Sequence, residues 1–173
     1  MKKIKKTLSL LLSTMIVFSS VAGVSTTAFA ASDELTYRKF KYKMLDNDTA
    51  EICGYTGKDT VVTIPESINS VPVTSIGRTA FSSCKIKEVT IPNTVRSIKW
   101  WAFYGCSSLE KVNLNFGLKT VGYGAFMNCK RLKSVSIPMS VTQICDDSFA
   151  VDCTTTVSYT HLRAHETLSD IVC

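Results

Sequence analysis

Histidine is almost absent from this chain of 173 residues: the only two, His161 and His165, stand near the C-terminus. A Ser/His/Asp set therefore cannot be assembled over the rest of the sequence. No Cys-x-x-Cys pair occurs among the 7 cysteines, which removes the usual spacing of a structural zinc site. There is no glycine-rich phosphate loop. No paired carboxylates fall on one expected face; Asp146 and Asp147 are adjacent and read as a solvated turn. Past the N-terminal segment no apolar run is long enough to span a bilayer. Between Ala31 and Thr156 there are 15 Lys and Arg against 12 Asp and Glu, interspersed, so the basic footprint that nucleic acid demands is missing too. These absences argue against an enzyme, a metal site and a nucleic-acid binder, and no cofactor is expected.

What is present begins with an export signal. Lys2, Lys3, Lys5 and Lys6 precede an apolar stretch from Leu8 to Val24, and Ala28-Phe29-Ala30 fits the small-x-small cleavage rule. Residues 1–30 read as a signal peptide of a secreted or cell-surface protein, with no stable membrane span after cleavage. Residues 31–57 read as a hairpin. Phe40, Tyr42 and Met44 alternate with lysines, Leu45–Thr49 supplies turn chemistry, and Ala50–Tyr55 returns. Such a hairpin is expected to cap the apolar edge of the repeats that begin near residue 58.

Residues 58–156 carry one phrase repeated about four times, the last incomplete. Ile86-x-x-Val89-x-Ile91 leads through Val95 and Ile98 to Ala102-Phe103-Tyr104-Gly105-Cys106. Leu109-x-x-Val112-x-Leu114 leads through Leu118 and Val121 to Ala125-Phe126-Met127-Asn128-Cys129. Phe81, Phe103, Phe126 and Phe149 are spaced 22, 23 and 23 residues apart. A period of this length with an L-x-x-L-x-L core marks a leucine-rich repeat. The expected architecture is an α/β solenoid with a parallel sheet on one face and short helices or turns on the other. The strand pattern turns Glu88, Thr90, Lys111, Asn113, Ser134 and Ser136 outward as a polar strip, with Thr63 in the first repeat. Residues 66–72 lengthen that first repeat and read as a loop. The Phe residues are expected to stack as a spine.

Ile91-Pro92 and Ile137-Pro138 at strand ends, Ser75-Ile76-Gly77, and Ala-Phe-x-x-Cys at 80–84, 102–106 and 125–129 together resemble the BspA-like, or treponemal-type, leucine-rich repeats. The resemblance covers about Val61 to Cys153. It implies a curved right-handed solenoid on bacterial surfaces or in secreted proteins, used for adhesion and protein binding. Lys99 and Cys145 depart from it, standing where Gly77 and Gly122 stand in their repeats, and Phe149 to Cys153 is one residue longer than its counterparts.

Cys84, Cys106 and Cys129 share one column of the repeat. They read first as buried thiols filling space and second as disulfide partners, because neighbouring rungs hold their Cβ atoms too far apart. In the tail, His161 and His165 would share a helix face and hold zinc. However, Val157 to Thr167 matches the translation of a transposon-type sequencing adapter. Residues 157–173 are therefore expected to be a non-native read-through tail, with the repeat pattern stopping near Thr156.

The functional expectation is a secreted or cell-surface module that binds a protein or glycan without catalysis. One alternative is a set of targeting repeats in a larger secreted enzyme, a peptidase or glycoside hydrolase; another is a cell-wall anchoring segment. The polar strip is the first candidate face. Trp100, Trp101 and Tyr104 form the second, reading either as spine packing with one exposed ring or as a ligand-contact patch.

Overall fold

A computed structural model describes residues 34–149 and the backbone strand at 156–159; the segment 1–30 expected to be a signal peptide and the His161/His165 pair lie outside them. The chain opens with β1 (Leu35–Tyr37), β2 (Phe40–Leu45) and β3 (Thr49–Tyr55), paired antiparallel in sequence. Alternation along β2 buries Phe40 and Tyr42, whereas Met44 points to solvent. The expectation of a hairpin standing over the solenoid as a separate cap is not met. β3 pairs in parallel with β6 (Val71–Ile76), so it is the first rung of the main sheet. The reason lies in its sequence: Ala50 and Ile52 are wholly buried and supply the rung's core side chains.

From β3 the chain winds into a β-solenoid with two parallel ladders. The larger runs through β3, β6, β8 (Ser97–Ile98), β10 (Thr120–Val121) and β12 (Gln143–Ile144), with Ile76, Ile98, Val121 and Ile144 in one register. The second contains β4 (Val61–Thr63), β7 (Glu88–Thr90) and β9 (Lys111–Asn113), aligned as Val61, Glu88, Lys111 and Thr63, Thr90, Asn113. β11 (Ser134–Ile137) pairs in parallel with β13 (Thr156–Tyr159), with Ser134 opposite Thr156 and Ile137 opposite Tyr159. Thr156-Val157-Ser158 has the same alternation as Ser134-Val135-Ser136, which suits that register. A one-sheet architecture was expected. The unexpected sheet is the larger one: it comes from the Val-x-x-Ile returns, whose strands β8, β10 and β12 have two residues each, too short to show a period.

Among the described residues there is no helix, which corrects the expectation of short helices around Ala-Phe-x-x-Cys. These segments are turns closed by Cys84 N–H to Phe81 C=O and Cys106 N–H to Phe103 C=O bonds. Two features forbid a helix. The N–H groups of Phe81 and Ser83 donate to the next rung, to Ala102 and Tyr104, leaving none for an i→i−4 ladder. The chain also passes twice per turn through left-handed backbone, at Thr79, Trp101, Gly124 and Asp147, then at Ser83, Gly105 and Asn128. The stretch expected as a loop is likewise ordered. β5 (Ser67–Ile68) pairs antiparallel with β6 through Asn69-Ser70, both at positive φ, as a tight two-residue hairpin demands.

The core is a spine of rings. Phe81, Phe103, Phe126 and Phe149 stack with centroids 4.9, 5.1 and 5.2 Å apart, and Tyr55 extends the stack onto Phe81 at 5.3 Å. Cys106 and Cys129 are buried beside it, each thiol donating to the Phe carbonyl of the preceding turn, Phe81 and Phe103. No disulfide joins Cys53, Cys84 or Cys106. Lys99, a departure from the repeat, has a partner. Its ammonium and that of Lys43 both pair with the buried carboxylate of Glu51, which occupies the space left by the missing Cβ of Gly77.

Candidate functional site

The polar strip is a consequence of register. In β7 and β9 the middle residues, Val89 and Val112, are buried, so their neighbours project outward. In-register pairing then sets Glu88 opposite Lys111 and Thr90 opposite Asn113. Lys111 bonds the Glu88 carboxylate at 2.9 Å, and Asn113 Nδ2 donates to Glu88 Oε1 at 2.9 Å and Thr90 Oγ1 at 3.2 Å. The Lys111 ammonium, then the Asn113 amide, hold the Glu88 carboxyl below its usual range. Four of the six expected strip residues thus form one cross-braced cluster. Ser134 and Ser136 are exposed on β11, the strand that packs beside β9.

One end of the face differs from the polar expectation. Val61, in register with Glu88, is 60% exposed. It lines a hollow of about 210 Å³ with Arg38, Lys39, Phe40, Tyr55, Asp59, Val62 and Thr63. Asp59 accepts from Lys39 at 2.8 Å and from the Tyr55 hydroxyl at 2.5 Å. Burial and that carboxylate push the Tyr55 phenol up to about 12. A basic hollow of about 440 Å³ is lined by Glu110, Lys130, Arg131 and Lys133.

The second candidate separates into two parts. Trp100 is 53% exposed and meets Trp101 edge-on at 6.4 Å. Trp101 and Tyr104 line a groove of about 470 Å³ with Thr79, Tyr123 and Met127. The Trp101 ring carries the Arg78 guanidinium 4.6 Å from its centroid and meets Tyr123 at 5.9 Å and 81°. The Tyr123 hydroxyl donates to Asp147 at 3.2 Å, which raises the phenol pKa. None of these rings joins the Phe stack. Sequence reading missed Tyr123 and Met127, although each stands 23 residues after a residue it had singled out, Trp100 and Tyr104.

Burial pushes the Cys106 thiol up to about 12, the reverse of a reactive cysteine. Among the described residues no group of three His, Cys, Asp or Glu is placed to hold a metal ion. Among the same residues no helix is long and apolar enough to cross a membrane.

Comparison with known proteins adds a family and a set of solved relatives. A family model described as "BspA type Leucine rich repeat region" matches residues 51–170 in 6 copies. A leucine-rich repeat protein from Bacteroides capillosus is 29% identical, with a TM-score of 0.68 over 74% of this chain and 99% of its own. The T. pallidum leucine-rich repeat protein is 28% identical, with a TM-score of 0.65 over 72% of this chain and 64% of its own. A leucine-rich cell surface protein from Faecalibacterium prausnitzii is 27% identical, with a TM-score of 0.57 over 73% of this chain and 42% of its own. The chain thus spans less than two thirds of the latter two. No curated protein matches the sequence.

Proposed function

The chain belongs to the BspA-type leucine-rich repeat family, and from that premise we propose that it is a secreted or cell-surface module that binds a protein or glycan partner without catalysis. The observation that carries this reading is the braced cluster of Glu88, Thr90, Lys111 and Asn113 on the outward side of one ladder. Side chains already held in one geometry lose little further freedom when a partner arrives, so more of each contact survives as affinity. The ladder offers donors and acceptors at a fixed rung spacing, which suits recognition by many small contacts. The cell surface relative from F. prausnitzii supports the location.

The test is binding of the fluorescently labelled full chain to an immobilised panel of matrix proteins and bacterial and host glycans. Lys111→Ala with Asn113→Ala is expected to weaken binding to the responding ligand by about tenfold, the effect of losing a central anchor. Unchanged binding would move the contact away from this face, and silence across the panel would remove the reading.

A further inference from the structure

The groove of Trp101, Tyr104, Tyr123 and Met127 lies outside the ring stack that holds the solenoid together, and the fold keeps it at a conformational cost. Trp101 adopts φ 56° in the column where Gly124, at φ 57°, is the unstrained occupant. Gly124 in turn leaves the room that the indole fills, since a Cβ there would stand 2.6 Å from Trp101 Cδ1. The repeat sets this left-handed backbone in each turn, at Thr79, Trp101, Gly124 and Asp147, and at Trp101 it holds a large aromatic ring over the room that Gly124 leaves.

The geometry narrows the ligand. Trp101 and Tyr123 stand nearly perpendicular, at 81°. Arg78 already covers a Trp101 face at 4.6 Å, which disfavours both a stacked sugar ring and an external cation there. A compact apolar wedge entering between upright aromatic rings is what remains. Proline rings of a polyproline II segment have that shape, and the segment arrives already ordered. Asp146 and Asp147 are exposed beside Tyr123, with Asp147 accepting its hydroxyl, so negative charge stands at this end of the groove. We propose that the groove docks a proline-rich segment of a partner protein in polyproline II conformation, with a Lys or Arg next to the prolines facing Asp146 and Asp147. This site is distinct from the braced sheet cluster and does not depend on it.

The chain has two tryptophans: Trp101 lines the groove and Trp100 meets it edge-on at 6.4 Å, so intrinsic fluorescence of the full chain reports the groove. Titration with a decaproline peptide ending in two arginines is expected to give a saturable change, and plain decaproline to bind about threefold more weakly. Tyr104→Ala is expected to weaken binding about tenfold, as loss of an aromatic anchor does. Asp146→Asn with Asp147→Asn should abolish the difference between the two peptides, and Lys111→Ala should change nothing. Tyr104 is 37% exposed, so its replacement leaves the core intact, and a thermal melt verifies this. No saturable change with the arginine-bearing peptide at millimolar concentration, or Tyr104→Ala binding as the parent does, overturns the proposal. So does a saturable response to chitohexaose or cellohexaose alone, which would assign the groove to a glycan.

Discussion

Glu51 is 3% exposed, and two ammonium groups keep it charged there. Burial acting alone would raise its pKa; the hydrogen bonds and charges of Lys99 and Lys43 outweigh burial and hold it below the ordinary carboxylate value. A depressed carboxylate contributes stability above its unfolded pKa, roughly 4.3, and that contribution is lost as pH falls through the folded value. Glu51→Gln keeps the shape and removes the charge. It is expected to cost roughly 1–3 kcal/mol at neutral pH, the usual range for a buried group deprived of its partner. Thermal melts across pH check this: the gap between parent and variant should close as pH drops below about 4. A gap that stays constant from neutral to acid would show that the charge pair does not stabilise the fold. The same pairing explains why Lys99 departs from the glycine of its column: the side chain serves a carboxylate in the first rung.

The turn that joins the two ladders shows where sequence reading succeeds and where it stops. The phrase period placed the buried residues of each rung, the outward strip and the Phe spine, because side-chain burial repeats with the chain and is written in residue type. Backbone dihedrals are not written that way. Thr79, Trp101, Gly124 and Asp147 share one left-handed conformation and no chemical property, so the helix expected from Ala-Phe-x-x-Cys had nothing to veto it. The groove was half legible for the same reason: Trp101 announces itself as an aromatic, whereas Gly124, which makes room for it, does not. The strip was legible as a face, yet the bracing of Glu88 by Lys111 and Asn113 depended on a register that only pairing fixes. The turn carries its own test. Gly124→Ala should cost about 1–2 kcal/mol for the left-handed backbone alone. It should cost more in the parent than in a Trp101→Ala background, because the ring that the new Cβ would strike is then gone. Urea denaturation of the four members of this cycle measures the coupling. Additive losses would mean that the ring moves aside freely and that the close packing of Trp101 on Gly124 is not a constraint.

At the scale of the molecule, stability is a sum of rung-to-rung interfaces, since a rung has little to pack against except its neighbours. The ring stack makes that sum visible. Phe103 is fully buried, with Phe81 and Phe126 on its two sides at 4.9 and 5.1 Å and planes within 12° and 3° of parallel. Phe149 stacks on Phe126 at 5.2 Å and is only partly buried. Removing a ring in the middle breaks two interfaces and opens a cavity that flanking rings cannot close without leaving their own rungs. Phe103→Ala is therefore expected to cost about 3–5 kcal/mol, the range for deleting a buried aromatic side chain. Phe149→Ala breaks its stack on Phe126 and exposes surface already partly wet, so its cost should be about half as large. Chemical denaturation separates the two, and hydrogen exchange adds the spatial picture, because amides of β8 and β10 should lose protection in the first variant and keep it in the second. Equal costs for the two substitutions would mean that the array unfolds as one indivisible block. The one-dimensional account, in which each turn of this solenoid is held by the turns on either side, would then be wrong.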